Sequence, residues 1–303
     1  SYYPPRRVDD ANFGQANGTE LAGAYFTQHA GYVDDPQLAA RNLVEAATRL
    51  GSEFRWRAKV MEILKSEGGT RVQGVKLDDG SIIEAPIVVN AAGPYSSALH
   101  RLAFKDAGVP DDSKISSRPL KVEVAYVAEP PGSNLDATMP IAMDFDLGVY
   151  LRPQRGGQLL IGSLEPECDP LEFLDRAEDL KPCLTEEWTN IVHRAGLRLP
   201  ELRLPNTAAG LTALYDPTPD WVPIYDRTSI RGFYSMMGTS GNQFKNAPVV
   251  GKILTSLVDS CENGYDHDAQ PVQLKLPRTS GSLNCGIFSR LRSLEVTSGT
   301  VLG

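Results

Sequence analysis

The run Gly232-Phe-Tyr-Ser-Met-Met-Gly238-Thr-Ser-Gly241-Asn-Gln-Phe-Lys245-Asn-Ala-Pro248-Val-Val-Gly251 decides how this chain is read. Phe233 to Met237 has the length and apolarity of a short strand, and Gly238 to Gly241 interrupts it with small residues. Beyond it, Val249, Val250, Ile253, Leu254, Leu257 and Val258 recur at helical spacing. Pro248 suits the first turn of that helix, where a missing N–H costs nothing. A strand, a glycine turn and a helix N-terminus bring free backbone N–H groups and a positive dipole end to one point. Such a point suits a phosphate, a carboxylate or another electron-rich group. An ordinary strand-to-helix connection has the same grammar, so the rest of the chain must decide.

Upstream, Ala85-Pro-Ile-Val-Val-Asn90-Ala-Ala-Gly93-Pro94 reads as a strand buried on both faces, as in a parallel α/β sheet, ending in small residues. Before it, Asp79-Gly80 predicts a hairpin between Arg71–Leu77 and Ser81–Glu84. Strands are expected at Phe54–Arg57 and Lys59–Lys65. Gly31-Tyr-Val-Asp-Asp35-Pro36 opens a helix with Asp35 as N-cap and Pro36 at its first position. Leu38, Leu43, Ala46, Ala47 and Leu50 mark its expected buried face, and Gly51 stands where a C-terminal cap belongs. Residues 1–23 read as an irregular, solvated lead-in.

Between these parts the character changes. Lys121 to Val127 alternates as a half-exposed antiparallel strand does. Gly156-Gly157 predicts a hairpin joining Gly148–Pro153 to Gln158–Gly162, and helical, charged segments follow from Leu171 to Arg194. An antiparallel sheet with helices on one side is expected, inserted into a nucleotide-type α/β part. Beyond Asp266 the chain is polar until Cys285-Gly-Ile-Phe-Ser-Arg-Leu-Arg292, read as a helical cap or packing segment.

At 303 residues, 41% hydrophobic and 22% charged, the composition is that of a globular protein. A net charge of −8 argues against a nucleic-acid partner. No apolar run reaches membrane-spanning length and no signal-peptide pattern opens the chain. Cys168, Cys183, Cys261 and Cys285 are scattered, which reads as reduced thiols in a cytoplasmic protein. His29, His100, His193 and His267 lack metal-ligand spacing, so no metal is expected.

Gly238-Thr-Ser-Gly-Asn-Gln-Phe-Lys245, with Ala247-Pro248 and Gly251, resembles the C-terminal flavin motif of the D-amino-acid oxidase superfamily of FAD-dependent oxidoreductases, nearest its sarcosine oxidase and glycine oxidase branch. Gly31 to Ser97 resembles the same superfamily, with Val60 on the strand that passes the adenine and Asn90-Ala-Ala-Gly-Pro-Tyr95-Ser96 closing against the cofactor. Ala209-Gly-Leu211 and Tyr215-Asp-Pro-Thr-Pro-Asp220 resemble its A-G-L … T-P-D element. The resemblance implies an α/β fold with an α+β insert. The FAD-binding part is expected over residues 24–110 and 228–265, the substrate part over 1–23 and 111–227, and a tail over 266–303.

It further implies oxidation of the C–N bond of an amino acid or secondary amine, with hydride transfer to FAD. Val60, Ala92, Gly93, Tyr95, Gly238, Ser240, Gly241, Asn242, Gln243 and Phe244 fall at cofactor-facing positions. Lys245 aligns with a lysine that binds the substrate carboxylate, Tyr150 with a substrate-facing tyrosine, and Arg152 shares the face of Tyr150 as a second carboxylate clamp. Read from the residues alone, a solvated lysine, an edge tyrosine and a surface arginine stay open. Ala213 occupies the position at which a monomeric sarcosine oxidase tethers its flavin through cysteine, so FAD is expected to be non-covalent.

The sequence also departs from the pattern. Asn242 and Gln243 replace a histidine and a glycine, Thr212 stands where glycine oxidases carry an arginine, and Leu160 takes the place of the oxygen-activating lysine. That leaves a dehydrogenase with another electron acceptor open. No strand followed by G-x-G-x-x-G occurs; Gly14, Gly18 and Gly23 are wrongly spaced. The expected fold therefore lacks its first βαβ unit, as in an N-terminally truncated chain, with weak or no FAD binding by the chain alone. The partners considered are a small amine or amino-acid substrate, and a homo-oligomer or a chain supplying the missing unit. Two alternatives stand beside the first reading: a 2-hydroxy acid or polyol phosphate dehydrogenase of the same fold, and a non-catalytic remnant that binds a partner and no flavin.

Overall fold

The computed structural model describes residues 1–135, 139–295, 297 and 299. The chain divides into two units, the first from residues 1–57, 123–170 and 182–212, the second from 58–122, 171–181 and 213 onward. Two of the five boundaries fall inside strands, β5 (Leu120–Ala128) and β10 (Gly210–Tyr215).

In the second unit, β1 (Val60–Lys65), β2 (Val72–Leu77) and β3 (Ile82–Glu84) form an antiparallel sheet, with Asp79-Gly80 turning β2 into β3. β4 (Val88–Asn90) runs parallel to β12 (Phe233–Met237), with Phe233 opposite Val88, Tyr234 opposite Val89 and Ser235 opposite Asn90. The two continuously apolar runs thus lie in one sheet. β11 (Ile224–Arg227) joins the far side of β12, antiparallel. Tyr234 and Met236 pack against Ile253 and Leu257 of α4 (Ala247–Glu262). Phe233, facing the other way, packs with Ile63, Val72, Ala103 and Ile230. Both faces of β12 are buried, which is why its sequence is continuously apolar.

In the first unit, residues 124–128 of β5 pair with β8 (Gln158–Ser163), β8 with β7 (Val149–Gln154), and β7 with β6 (Ala142–Asp144). The hairpin at Gly156-Gly157 is as expected. One face of this sheet, through Ala125, Val127, Val149, Leu151, Leu159 and Ile161, packs on Trp188, Ile191, Val192 and Ala195 of α3 (Glu186–Arg198). Thr185 caps α3, and the buried Glu123 carboxylate accepts from both the Thr185 N–H and its hydroxyl.

The structure corrects several expectations. Phe54–Arg57 is not a strand: it pairs with no other strand, and Arg57 has φ +57°, which is incompatible with extended backbone. α1 (Pro36–Arg49) has the expected Asp35 cap, and Gly51 follows with φ +94°. Its apolar stripe, however, is not buried: Leu38, Leu43 and Leu50 are 53%, 60% and 89% exposed. Between Leu171 and Thr185 lie only a two-residue strand, β9 (Glu172–Phe173), and one 3-10 turn. The tail forms a hairpin, β13 (Gln273–Lys275) with β14 (Ser282–Asn284), and a single 3-10 turn at Cys285–Phe288 in place of a helix.

The units also part the chain differently from the division read in the sequence. Residues 24–57 group with the first unit, tied by Tyr32 Oη donating to the Pro153 carbonyl at 3.0 Å and by the Arg155–Asp34 ion pair. Residues 213–227 and the tail group with the second.

Candidate functional site

The turn after β12 is built from backbone conformations that favour glycine. Gly238, Ser240 and Gly241 have φ of +76°, +51° and +73°. A Cβ on Gly241 would lie 2.5 Å from the Tyr215 ring, and one on Gly238 would lie 2.6 Å from the Thr218 methyl. Two elements therefore meet here with no room for a side chain.

A carboxylate fixes the turn. Asp216, 2% exposed, accepts from Gly238 N at 3.0 Å through Oδ2, and from Thr239 N at 3.0 Å and Thr239 Oγ1 at 2.5 Å through Oδ1. The first two N–H groups of the turn are thus not free, contrary to the expectation from sequence. The N–H groups of Ser240 and Gly241 donate to nothing among the described residues. Tyr225 Oη donates to Gln243 Oε1, which also accepts from Asn246 Nδ2 at 2.8 Å. Burial, with the Asp216 charge nearby, pushes the Tyr225 phenol up, so it stays a donor. Phe244 is exposed beside this loop.

Lys245 lies in a 3-10 turn ahead of α4, exposed, with Nζ folded back on the Asn242 carbonyl at 2.6 Å. An ammionium-bearing side chain next to a helix N-terminus faces the wrong end of the dipole, which leaves it favourable to an anionic partner.

The parallel pairing sets Asn90 of β4 opposite Ser235 of β12. Asn90 donates from Nδ2 to Ser96 O at 2.8 Å and accepts from Ala92 N, folding Ala92, Gly93 and Tyr95 into a tight bend. Gly93 has φ +56° with open space where a Cβ would stand, and Tyr95 is half-exposed. Ser96 Oγ and Ser235 Oγ are buried without hydrogen-bond partners. Val60, in contrast, packs against the cluster of Ile63, Val72 and Phe233.

Tyr150 and Arg152 belong to the first unit, Lys245 to the second. They share the half-exposed face of β7, with Gly162 opposite Tyr150 and Leu160 opposite Arg152 on β8. The Tyr150 ring covers Gly162, where a Cβ would fall 2.4 Å from it. The Arg152 guanidinium stacks on Tyr32 at 5.2 Å, and its Nε is buried with no partner. The stacking holds the guanidinium in place without neutralising it, unlike a surface salt bridge.

Sequence reasoning missed Asp216 and the brace behind it. Thr218 Oγ1 bonds to Asp220, and Arg292 of the tail donates to both Asp220 oxygens at 3.0 and 2.8 Å and to the Val222 carbonyl. Burial acts to raise the Asp220 pKa, but the Arg292 and Thr218 bonds outweigh it and bring it down to about 2. The stretch Tyr215 to Asp220 stood out in the sequence by its resemblance to the T-P-D element, but nothing in it assigned a role to Asp216.

All four cysteines are free. Among the described residues no cluster of three or more His, Cys, Asp or Glu side chains could hold a metal, and no helix is long and apolar enough to cross a membrane.

A carboxylate-braced glycine turn follows a strand that runs parallel to a second, with a helix beyond it, which is the strand–turn–helix order of a nucleotide-type α/β part. The family described as FAD dependent oxidoreductase (DAO) matches residues 2–257, and the chain belongs to it. Human mitochondrial sarcosine dehydrogenase is 29% identical over 241 residues, covering 77% of this chain and 23% of that protein. Hydrogen cyanide synthase subunit HcnC of Pseudomonas aeruginosa is 23% identical over 71% of this chain and 46% of its own length. Among solved structures, L-proline dehydrogenase from P. horikoshii superposes with a TM-score of 0.61 at 21% identity, covering 84% of this chain and 58% of that one. Glycine oxidase from Bacillus cereus gives 0.55 at 20% identity, covering 75% and 56%. These confirm the fold. The chain spans under half the length of the curated relatives it matches and just over half of the solved ones.

The residues present fit the ring-bearing end of a flavin. Two free N–H groups, two orphaned buried hydroxyls and an open glycine bend cluster near the ends of β4 and β12, where open α/β sheets bind ligands. No glycine-rich turn for a pyrophosphate is among them.

Proposed function

We propose that the protein oxidises the C–N bond of a carboxylate-bearing amine, an amino acid or secondary amine, with non-covalent FAD as acceptor. The observation that carries this reading is the Asp216-held turn leading to Lys245, in a chain of the FAD dependent oxidoreductase family. Bound FAD supplies the hydride acceptor, and the amine carbon becomes an imine that water hydrolyses. The chain's own residues do the rest. With FAD bound, Gly238, Ser240, Gly241, Asn242, Gln243 and Phe244 would hold it from the turn, Ala92, Gly93 and Tyr95 from the bend after β4, and Val60 from β1. Lys245 gives up its bond to the Asn242 carbonyl and pairs with the substrate carboxylate. Within the first unit, Arg152, stacked on Tyr32 and with no carboxylate partner among the described residues, is suited to clamp a carboxylate, with Tyr150 beside it on the same strand face.

Ala213, half-buried, offers no thiol for a covalent link. The buried Leu160 cannot act as a cationic oxygen activator, which favours an electron acceptor other than oxygen.

The test is anaerobic stopped-flow reduction of the full-length protein and its Lys245→Met variant, with an amino acid and the matching simple amine. Loss of the anchor lowers kcat/KM for the acid by about 1.5–3 kcal/mol, the range for one charge-assisted hydrogen bond, and leaves the amine largely unaffected. Equal slowing of both would make Lys245 a general field near the flavin. Unchanged rates would return it to a solvated lysine.

A further inference from the structure

Building on the flavin reading above, we propose that Asp216 is a positioning residue that holds the Gly238–Gly241 turn in its ligand-ready shape before the cofactor arrives. Three observations carry this. First, Asp216 is buried, and no cation pairs with it among the described residues; its charge is met by three donors, all from Gly238 and Thr239. A buried carboxylate without a counter-ion persists only where such donors are fixed in place. Second, Ser240 adopts a left-handed conformation, φ +51°, that costs a non-glycine residue free energy and survives only where its surroundings over-determine it. Asp216 fixes the two residues before it, Ser240 Oγ bonds back to the Gly238 carbonyl at 3.1 Å, and the Tyr215 ring lies against Gly241. Third, Asp216 sits between Tyr215 and the Thr218–Asp220 turn, both of which touch this glycine loop or its brace.

The arrangement also sets what the turn can bind. The Gly238 and Thr239 N–H groups, which would otherwise form an anion hole, are spent on Asp216, and a second anion beside that carboxylate would be repelled. The remaining donors, Ser240 N and Gly241 N, suit a neutral acceptor such as a ring carbonyl or nitrogen rather than a phosphate.

The test uses Asp216→Asn in the full-length protein. The amide matches the carboxylate in shape, yet whichever way it turns, its NH2 meets a backbone N–H. Two readouts are needed: hydrogen exchange at Gly238 and Thr239 in the FAD-free protein, and FAD affinity by titration. Positioning predicts exchange at least tenfold faster at these two amides and FAD binding at least tenfold weaker. Thr239→Val, which removes only the hydroxyl donor, gives the same pattern at two- to fivefold and serves if Asp216→Asn does not fold. Faster exchange with unchanged FAD affinity would make Asp216 merely structural and overturn the proposal, as would no change in either. A wild-type protein that binds no FAD would overturn the flavin reading instead, while exchange at the turn would still decide whether Asp216 holds it.

Discussion

The glycine turn after β12 and helix α1 are both punctuated correctly in the sequence, yet only one is finished within this chain. At the turn, Tyr215 and Thr218 close on the glycines, Asp216 takes the Gly238 and Thr239 N–H groups, and Arg292 braces Asp220. α1 has its Asp35 cap, its Pro36 and its Gly51, but none of its residues is buried. The difference separates two kinds of information. Caps and turns are local and need only a few neighbouring residues. Burial of an apolar stripe needs a second surface, and helical stability depends mostly on that surface.

The largest effect that would break this comparison is at Gly241. Gly241→Ala combines a left-handed backbone with a clash against the Tyr215 ring, and the sum is about 4 kcal/mol of destabilisation. Urea unfolding measures it; a change under 1 kcal/mol would show that the turn is not tightly closed.

Next comes Arg292→Gln. It leaves the Asp220 carboxylate buried without its guanidinium, at a cost of about 3 kcal/mol. The sign of the pH dependence follows from the depressed pKa. Asp220 contributes stability that is fully present above its unfolded value near 4, and lost as pH falls through about 2. Acid titration of the wild-type protein should show that loss, and the variant should lack it.

The smallest effect sharpens the other side. Leu43→Lys on α1 should change the stability of this chain by less than about 0.5 kcal/mol, because the side chain is exposed. A loss of about 2 kcal/mol or more in the full-length protein would show that its stripe is covered there.

How much was legible follows the same line. That β4 and β12 are strands buried on both faces was readable because two runs, Ile87–Val89 and Phe233–Met237, are apolar without alternation; that they pair directly was not. The hairpins at Asp79-Gly80 and Gly156-Gly157 were readable from their turns. Tyr150 and Arg152 were correctly set on one face of a strand by period two. Asp216 was not readable as part of the site, since its partners lie 22 and 23 residues away and hydrogen-bonding partners at that range leave no periodicity. Phe54–Arg57 looked like a strand because alternating aromatic and charged residues mimic one; Arg57's left-handed backbone ends it. The tail brace was invisible for the reason Asp216 was: Arg292 and Asp220 are 72 positions apart.

The central claim is that this turn serves a flavin that accepts hydride from a carboxylate-bearing amine. The most direct measurement takes the full-length protein, checks that acid precipitation releases its yellow colour into the supernatant, and then follows the flavin absorbance anaerobically with secondary-amine acids, primary amino acids and 2-hydroxy acids. The account predicts released FAD and bleaching by at least one amino acid or secondary-amine acid, with no bleaching by the matching 2-hydroxy acid. Flavin retained in the pellet, or bleaching by the hydroxy acid alone, would contradict it.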